Sequence, residues 1–183
     1  EEANAIDLLT TGVVTASIVT TETVDSLKTL TGTNNAYTIV IRETAASASD
    51  LNAINELTTA TVDLTNVTSV TSSALSDLDT LADAINATPA QFINATNLAT
   101  SAVSDSEIDI TSSAETIDAL DQIDDDSIDM TMASGATINV DAGEITAMLA
   151  DENAGRLTIG DQNITVTGAI TVDVANLLGT TTS

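Results

Sequence analysis

The pattern of apolar and polar positions is clearest over residues 60–81, ATVDLTNVTSVTSSALSDLDTL. Val62 and Leu64 alternate with the polar Asp63 and Thr65, which is the period of a half-buried strand. A turn at Asn66 leads to a second β-rich piece around Val67 and Val70. The period then changes, and Leu75, Leu78 and Leu81 recur every third residue, as on one side of a short helix. This strand–strand–helix unit returns in weaker form on both sides. Its helical half, an acidic residue followed by two apolar residues three apart, is met at Leu27/Leu30, Leu51/Ile54, Leu120/Ile123, Ile145/Met148 and Val174/Leu177, and loosely at Ile6/Leu9.

The leading apolar positions of these helices are separated by about 21 to 29 residues, with one gap of about 42, and such periods mark stacked repeats. A second pattern keeps the same phase. Tyr37-Thr38-Ile39, Val62-Asp63-Leu64, Ile108-Asp109-Ile110, Ile128-Asp129-Met130 and Leu157-Thr158-Ile159 each read apolar, polar, apolar, and GVVTASIV at 12–19 takes the corresponding place after the first helix. Two patterns in one phase predict a β-rich repeat fold, a β-solenoid-like stack of short strands with a short helix per coil. The alternative is an ordinary α+β domain that reuses short elements. The expected coils lie near 1–30, 31–54, 55–81, 107–123, 124–149 and 150–178, within one repeat-built domain. Residues 82–106, with the only proline (Pro89) and the only phenylalanine (Phe92), account for the long gap and are expected to form an inserted helical segment. Neither end shows a polar cap. The chain is therefore expected either to continue into a longer array or to stack head to tail, since heterologous contacts that do not close make open fibres.

Composition narrows the function. Aromatic residues make up 1% of the 183 positions, so the core must be built from Ala, Val, Ile and Leu in thin layers. Twenty-eight acidic residues stand against Lys28, Arg42 and Arg156, for a formal net charge of −25, and nucleic acid and anionic membranes would both repel such a chain. No basic leader with an apolar core opens it, and no apolar run reaches the length of a membrane span, so membrane insertion is not expected. Without cysteine or histidine there are no disulfides, no thiolate or imidazole metal sites and no histidine general base. Paired carboxylates without aromatic platforms make a poor sugar cleft, and no phosphate loop is present, so the chain reads as non-enzymatic with no cofactor required.

One metal arrangement follows from the expected stack. If the coils lie in register, Asp63, Asp109 and Asp129 occupy the same outward strand position in neighbouring coils, about 4.8 Å apart. Uncompensated carboxylates at that spacing repel, and Ca2+, which takes six to eight oxygen ligands, would relieve them. Splaying into salty water is the other resolution. Asp124, Asp125 and Asp126 form a second acidic cluster in an expected turn. The T-x-T pairs fall at different phases of the repeat and would not form one flat face. The N-x-T triplets at Asn66, Asn86, Asn94 and Asn163 occur about as often as chance predicts in so Thr-rich a chain, and do not establish glycosylation.

The run TGTNNAYTIVIRETAASASDLNAINELTTATVDLTNVTSV resembles repeat segments of very large Thr- and Asp-rich surface or secreted bacterial proteins, especially those of marine cyanobacteria. In those repeats a T-G-x-x-N strand segment alternates with an A-A-S-D-L-N helix segment. The likeness spans about residues 31–81 and partly returns after 107. It implies an extracellular or cell-surface protein with a structural, adhesive or motility-related role. Two functions are thus expected in order. The first is a structural protein of the cell exterior that self-associates end to end into a filament, sheath or surface layer. The second is a calcium-stabilised adhesin module that meets surface glycans.

Overall fold

In the computed structural model, residues 2–71, 73–95, 101–102, 107–110, 130–131, 134–154, 157–159 and 162–181 are described. The chain alternates short helices and strands. Helix α1 (Glu2–Asp7) precedes strand β1 (Thr15–Ser17), followed by α2 (Val24–Leu27), β2 (Ala36–Val40) and β3 (Ala45–Ser47). Next come α3 (Ala48–Asn55), β4 (Val62–Asp63), β5 (Ser69–Thr71), α4 (Leu75–Asn86), β6 (Phe92–Ile93), β7 (Ser101–Ala102), β8 (Glu107–Ile110) and β9 (Met130–Thr131). The last elements are β10 (Thr137–Asp141), α5 (Ile145–Ala154), β11 (Leu157–Thr158), β12 (Asn163–Thr167) and α6 (Val172–Thr181). Residues 111–129, with the expected helix at Leu120/Ile123, the Asp124–Asp126 turn and Asp129, lie outside the described residues.

Every described strand pair is parallel. The strands form four sheets, in the orders β1-β2-β4-β6, β3-β5, β8-β10-β12 and β7-β9-β11. This corrects the expected β-solenoid-like stack: the fold is mixed α/β, with short strands in small parallel sheets. The strands are two to five residues long, whereas the helices reach twelve, so the chain invests as much in helix as in ladder. Parallel neighbours need a crossover, and the helices provide it. The expectation for 82–106 also changes. Helix α4 runs on to Asn86, and Phe92 and Ile93 then form a strand in register with Val62 and Asp63.

The helices start where side-chain chemistry allows. The Thr23 hydroxyl caps α2 by accepting from the Ser26 N–H, and the Ser47 hydroxyl does the same for α3 from Asp50. Each satisfies an amide that has no partner within the helix. Leu51 and Ile54 of α3 and Leu78, Leu81 and Ala82 of α4 are fully buried, and these two helices pack side by side. In α6 the inward positions are Val174 and Leu178, four apart, and Leu177 turns outward at 46% exposure.

Register places like on like. Ala16 lies beside Tyr37, Ile39 beside Val62, and Val62 beside Phe92, and of these all but the half-buried Ala16 are buried in one aliphatic core. In the C-terminal part Ile138 and Val140 lie beside Ile164 and Val166. Polar side chains fasten successive units to one another. Asn4 Nδ2 donates to the Thr29 carbonyl at 2.7 Å, Asn66 Nδ2 to Ile41 at 2.9 Å and Asn52 Nδ2 to Asp77 at 2.8 Å, each across 25 residues of chain. Buried Asn35 accepts from the Val14 N–H at 2.9 Å and donates to Asp7 Oδ1 at 2.8 Å and to the Tyr37 hydroxyl at 3.0 Å. Gly32 is required beside it. Its φ is +90°, and a Cβ there would lie 2.5 Å from the Asp7 carboxylate and from Asn35 Nδ2.

The contrast between buried and open leucines is testable by urea denaturation. Leu78→Ala should cost about 2–5 kcal/mol, because it empties a fully buried site between helices. Leu8→Ala, at a position 84% exposed, should stay within about 0.5 kcal/mol of the parent.

Candidate functional site

Of the three aspartates of the expected ladder, the two described ones lie in different sheets. The strand neighbours of Asp63 are Val40 and Ile93 in the first sheet. Asp109 lies in a different sheet, opposite Asn139. Asp129 is outside the described residues. Asp63 is used locally instead: its Oδ1 accepts from the Thr65 N–H at 2.9 Å and from Asn94 Nδ2 at 2.8 Å. Asn94 holds φ +60°, a left-handed conformation that asparagine tolerates better than most residues. Among the described residues no three carboxylates come together as a group able to hold a metal ion.

A second acidic place is one the sequence did not single out. Residues Asp25, Glu43 and Asp50, with Thr23, Ser47 and Thr71, line an open groove of about 420 Å3 beside β3. Among the described residues β3 pairs only with β5, and the segment one unit earlier turns into α2 instead of adding a strand there. Glu43 Oε1 accepts from the Val24 N–H at 3.1 Å, and Oε2 is buried with no hydrogen-bond partner among the described residues. Nothing in the period-two or period-three patterns marks Glu43, since it sits between strands in a polar run.

The groove's edge carries the chain's only lysine. Lys28 Nζ lies 2.6 Å from Asp50 Oδ1 and 3.3 Å from Asp25 Oδ1, which ties α2 to the start of α3. Hydrogen bonds to Asp50 and Asp25 raise the lysine above its ordinary value, so it stays charged and is no amine nucleophile at neutral pH. Burial pushes the Asp50 carboxyl up, but the bonds from Lys28 and Ser47 and the lysine's charge outweigh it and hold the group low. Arg42 also reaches back a unit, donating to the Thr21 carbonyl at 2.9 Å. Burial, and then the Asp7 charge, raise the Tyr37 phenol, although its bond to Asn35 opposes them.

Two further places are outer strands of sheets, β1 and β12. Among the described residues β1 pairs only with β2, and β12 only with β10. Exposed apolar side chains surround both. Leu8 (86% for its neighbour Leu9), Val13 and Val19 precede or follow β1, and Ile170 and Val172 follow β12. Neither edge strand contains a charged residue: β1 is TAS and β12 is NITVT. Sequence patterning predicts β1 as a strand within residues 12–19 but does not single out β12, and it cannot show which strands end their sheets, because strand order is a property of the fold.

No family model matches the chain, and neither curated proteins nor solved structures yield a match. Function must therefore be argued from these places alone. The groove offers carboxylates and hydroxyls without an imidazole, a thiol or a neutral amine. Among the described residues the edges offer a strand with no strand on its outer side and exposed apolar side chains nearby, which is the chemistry of strand addition.

Two outcomes check the polar geometry. Asp63→Ala removes the acceptor shared by Thr65 and Asn94 and should lower stability by about 1–3 kcal/mol in urea titrations. The Lys28–Asp50 pair predicts a pH window. Asp50 is lowered, so its contribution is present above the ordinary 3.8 and lost as the pH falls through its lower folded value. Lys28 is raised, so its contribution is present below 10.5 and lost as the pH rises through its higher folded value. The melting difference between the parent and Lys28→Met should be constant between those limits and shrink outside them.

Proposed function

We propose that this chain is a non-enzymatic structural module of the cell exterior, whose copies associate end to end into a filament, sheath or surface layer. The observation that carries this reading is the pair of open, uncharged strand edges in a chain of net charge −25. Folded proteins normally block such edges with lysine, proline, inward charge or a covering element, because an open edge templates pairing with another chain. Here 28 acidic residues are available, and none falls in β1 or β12. The nearby Leu8, Leu9, Val13, Val19, Ile170 and Val172 add apolar area that association would remove from water. The cell-exterior part rests on the resemblance of residues 31–81 to repeats of large bacterial surface proteins. Among the described residues no helix is long and apolar enough to cross a membrane.

Charge sets the condition for assembly. Two copies at net −25 repel over a Debye length of about 10 Å at 0.1 M salt, which contracts to about 3 Å at 1 M. Electron microscopy and sedimentation of the purified protein should therefore show fibres with an axial repeat near one subunit at high ionic strength, and fewer or shorter ones at low. Monodisperse monomers at every ionic strength would overturn the proposal. Monomers that coat a glycan surface would support the adhesin function in its place.

A further inference from the structure

We infer that the junction between copies is formed by β12 of one copy adding in parallel to β1 of the next. This rests on the end-to-end function proposed above and assigns the surface that performs it. Every described strand pair in the chain is parallel, so β1 presents on its open side the edge of a parallel sheet, and β12 presents the opposite edge of another. Joining the two edges repeats the pairing that already joins β1 to β2 and β10 to β12. Joining β1 to β1, or β12 to β12, would need a two-fold axis and antiparallel strands, which no described pair uses, and either contact alone would close the assembly at a dimer.

The side chains limit the register. In β1 the middle residue, Ala16, packs toward the core, while Thr15 and Ser17 are exposed. In β12 Ile164 and Val166 pack toward the core, while Asn163, Thr165 and Thr167 are exposed. A one-residue slip would turn every apolar side chain of the added strand to the wrong face. Full pairing of β1 therefore leaves two registers. Either Ala16 lies beside Ile164, which puts Ser17 beside Thr165, or Ala16 lies beside Val166, which puts Thr15 beside Thr165. In the first register Thr15 and Ser17 face Asn163 and Thr165, in the second they face Thr165 and Thr167, and in neither does a carboxylate from either strand enter the junction. Val13 and Val19, which flank β1, and Ile170 and Val172, which follow β12, are then brought to the same seam.

The chain has no cysteine, so thiols can be placed one at a time in the full-length protein. Thr165→Cys would be mixed with Thr15→Cys or with Ser17→Cys at assembling salt, oxidised, and mapped by mass spectrometry of the cross-linked peptides. Paired strands hold partner residues about 5 Å apart, within disulfide reach. The inference expects a 165–15 or a 165–17 cross-link, one exceeding the other by about tenfold, over minor 15–15, 17–17 and 165–165 products. Thr165→Lys, at an exposed position, should leave the melting temperature of the monomer unchanged and abolish fibres. Fibres that form with only like-to-like cross-links, or that persist in Thr165→Lys, would overturn this junction and leave the end-to-end function standing. Absence of assembly in the parent protein as well would overturn both.

Discussion

The fold depends on aliphatic side chains stacking across parallel strands spaced at about 4.8 Å. Aromatic residues supply 1% of the chain, and the two rings present, Tyr37 and Phe92, are both placed in these stacks. Ile39, Val62 and Phe92 form one such column, with Leu51, Ile54, Leu78 and Leu81 closing the core from the helical side. Each inward position touches its counterpart in the next unit, so the size of one side chain restricts the next. That makes small, β-branched and uniform residues the natural solution.

Stacking alone does not fix how far one unit slides along another. The polar bonds across 21 to 25 residues do so: Val14 N–H to Asn35, Asn66 to Ile41, and Asn52 to Asp77. Asparagine suits the task because its amide can donate and accept in the same short reach. Thr58 plays a related part, accepting from the Tyr37 N–H at 2.9 Å and donating to the Tyr37 carbonyl at 2.8 Å. The two described cations, Lys28 and Arg42, also act between units. Among the described residues the carboxylates of Asp7, Glu43, Asp50 and Asp63 join these contacts as acceptors.

Much of this was legible in residue spacing. Alternation at 37–39 and 62–64 and three-residue spacing at 51–54 and 78–81 mark strands and helices that the fold contains, because half-buried strands and one-sided helices leave those periods. Phe92–Ile93 left none, since two adjacent apolar residues carry no period and Pro89 suggested a helical excursion. The architecture was misread for a related reason. Repetition in sequence reports that units resemble one another, and it does not report how many strands join before a sheet stops. Asp63 and Asp109 show that step: they share a local pattern but belong to different sheets. Leu177 and Leu178 show the same limit on a smaller scale, where a single step around the helix decides which side chain faces inward.

The distribution of charge separates an assembly surface from an accidental one. A net charge of −25 opposes any contact between copies, so a chain selected only to stay dispersed gains most by placing carboxylates where strands are open. Of the described strands that carry a carboxylate, β4 (Asp63) and β10 (Asp141) are interior, and β8, with Glu107 and Asp109, is the other outer strand of the β12 sheet. Strands β1 and β12 instead carry Thr, Ser, Asn and small apolar residues, which pair across a sheet without desolvating a charge. On the proposed function, long-range repulsion with locally neutral edges would give a chain that stays apart in dilute salt and joins by its edges once the repulsion is screened. The same acidity that keeps copies apart elsewhere would then restrict where they could meet.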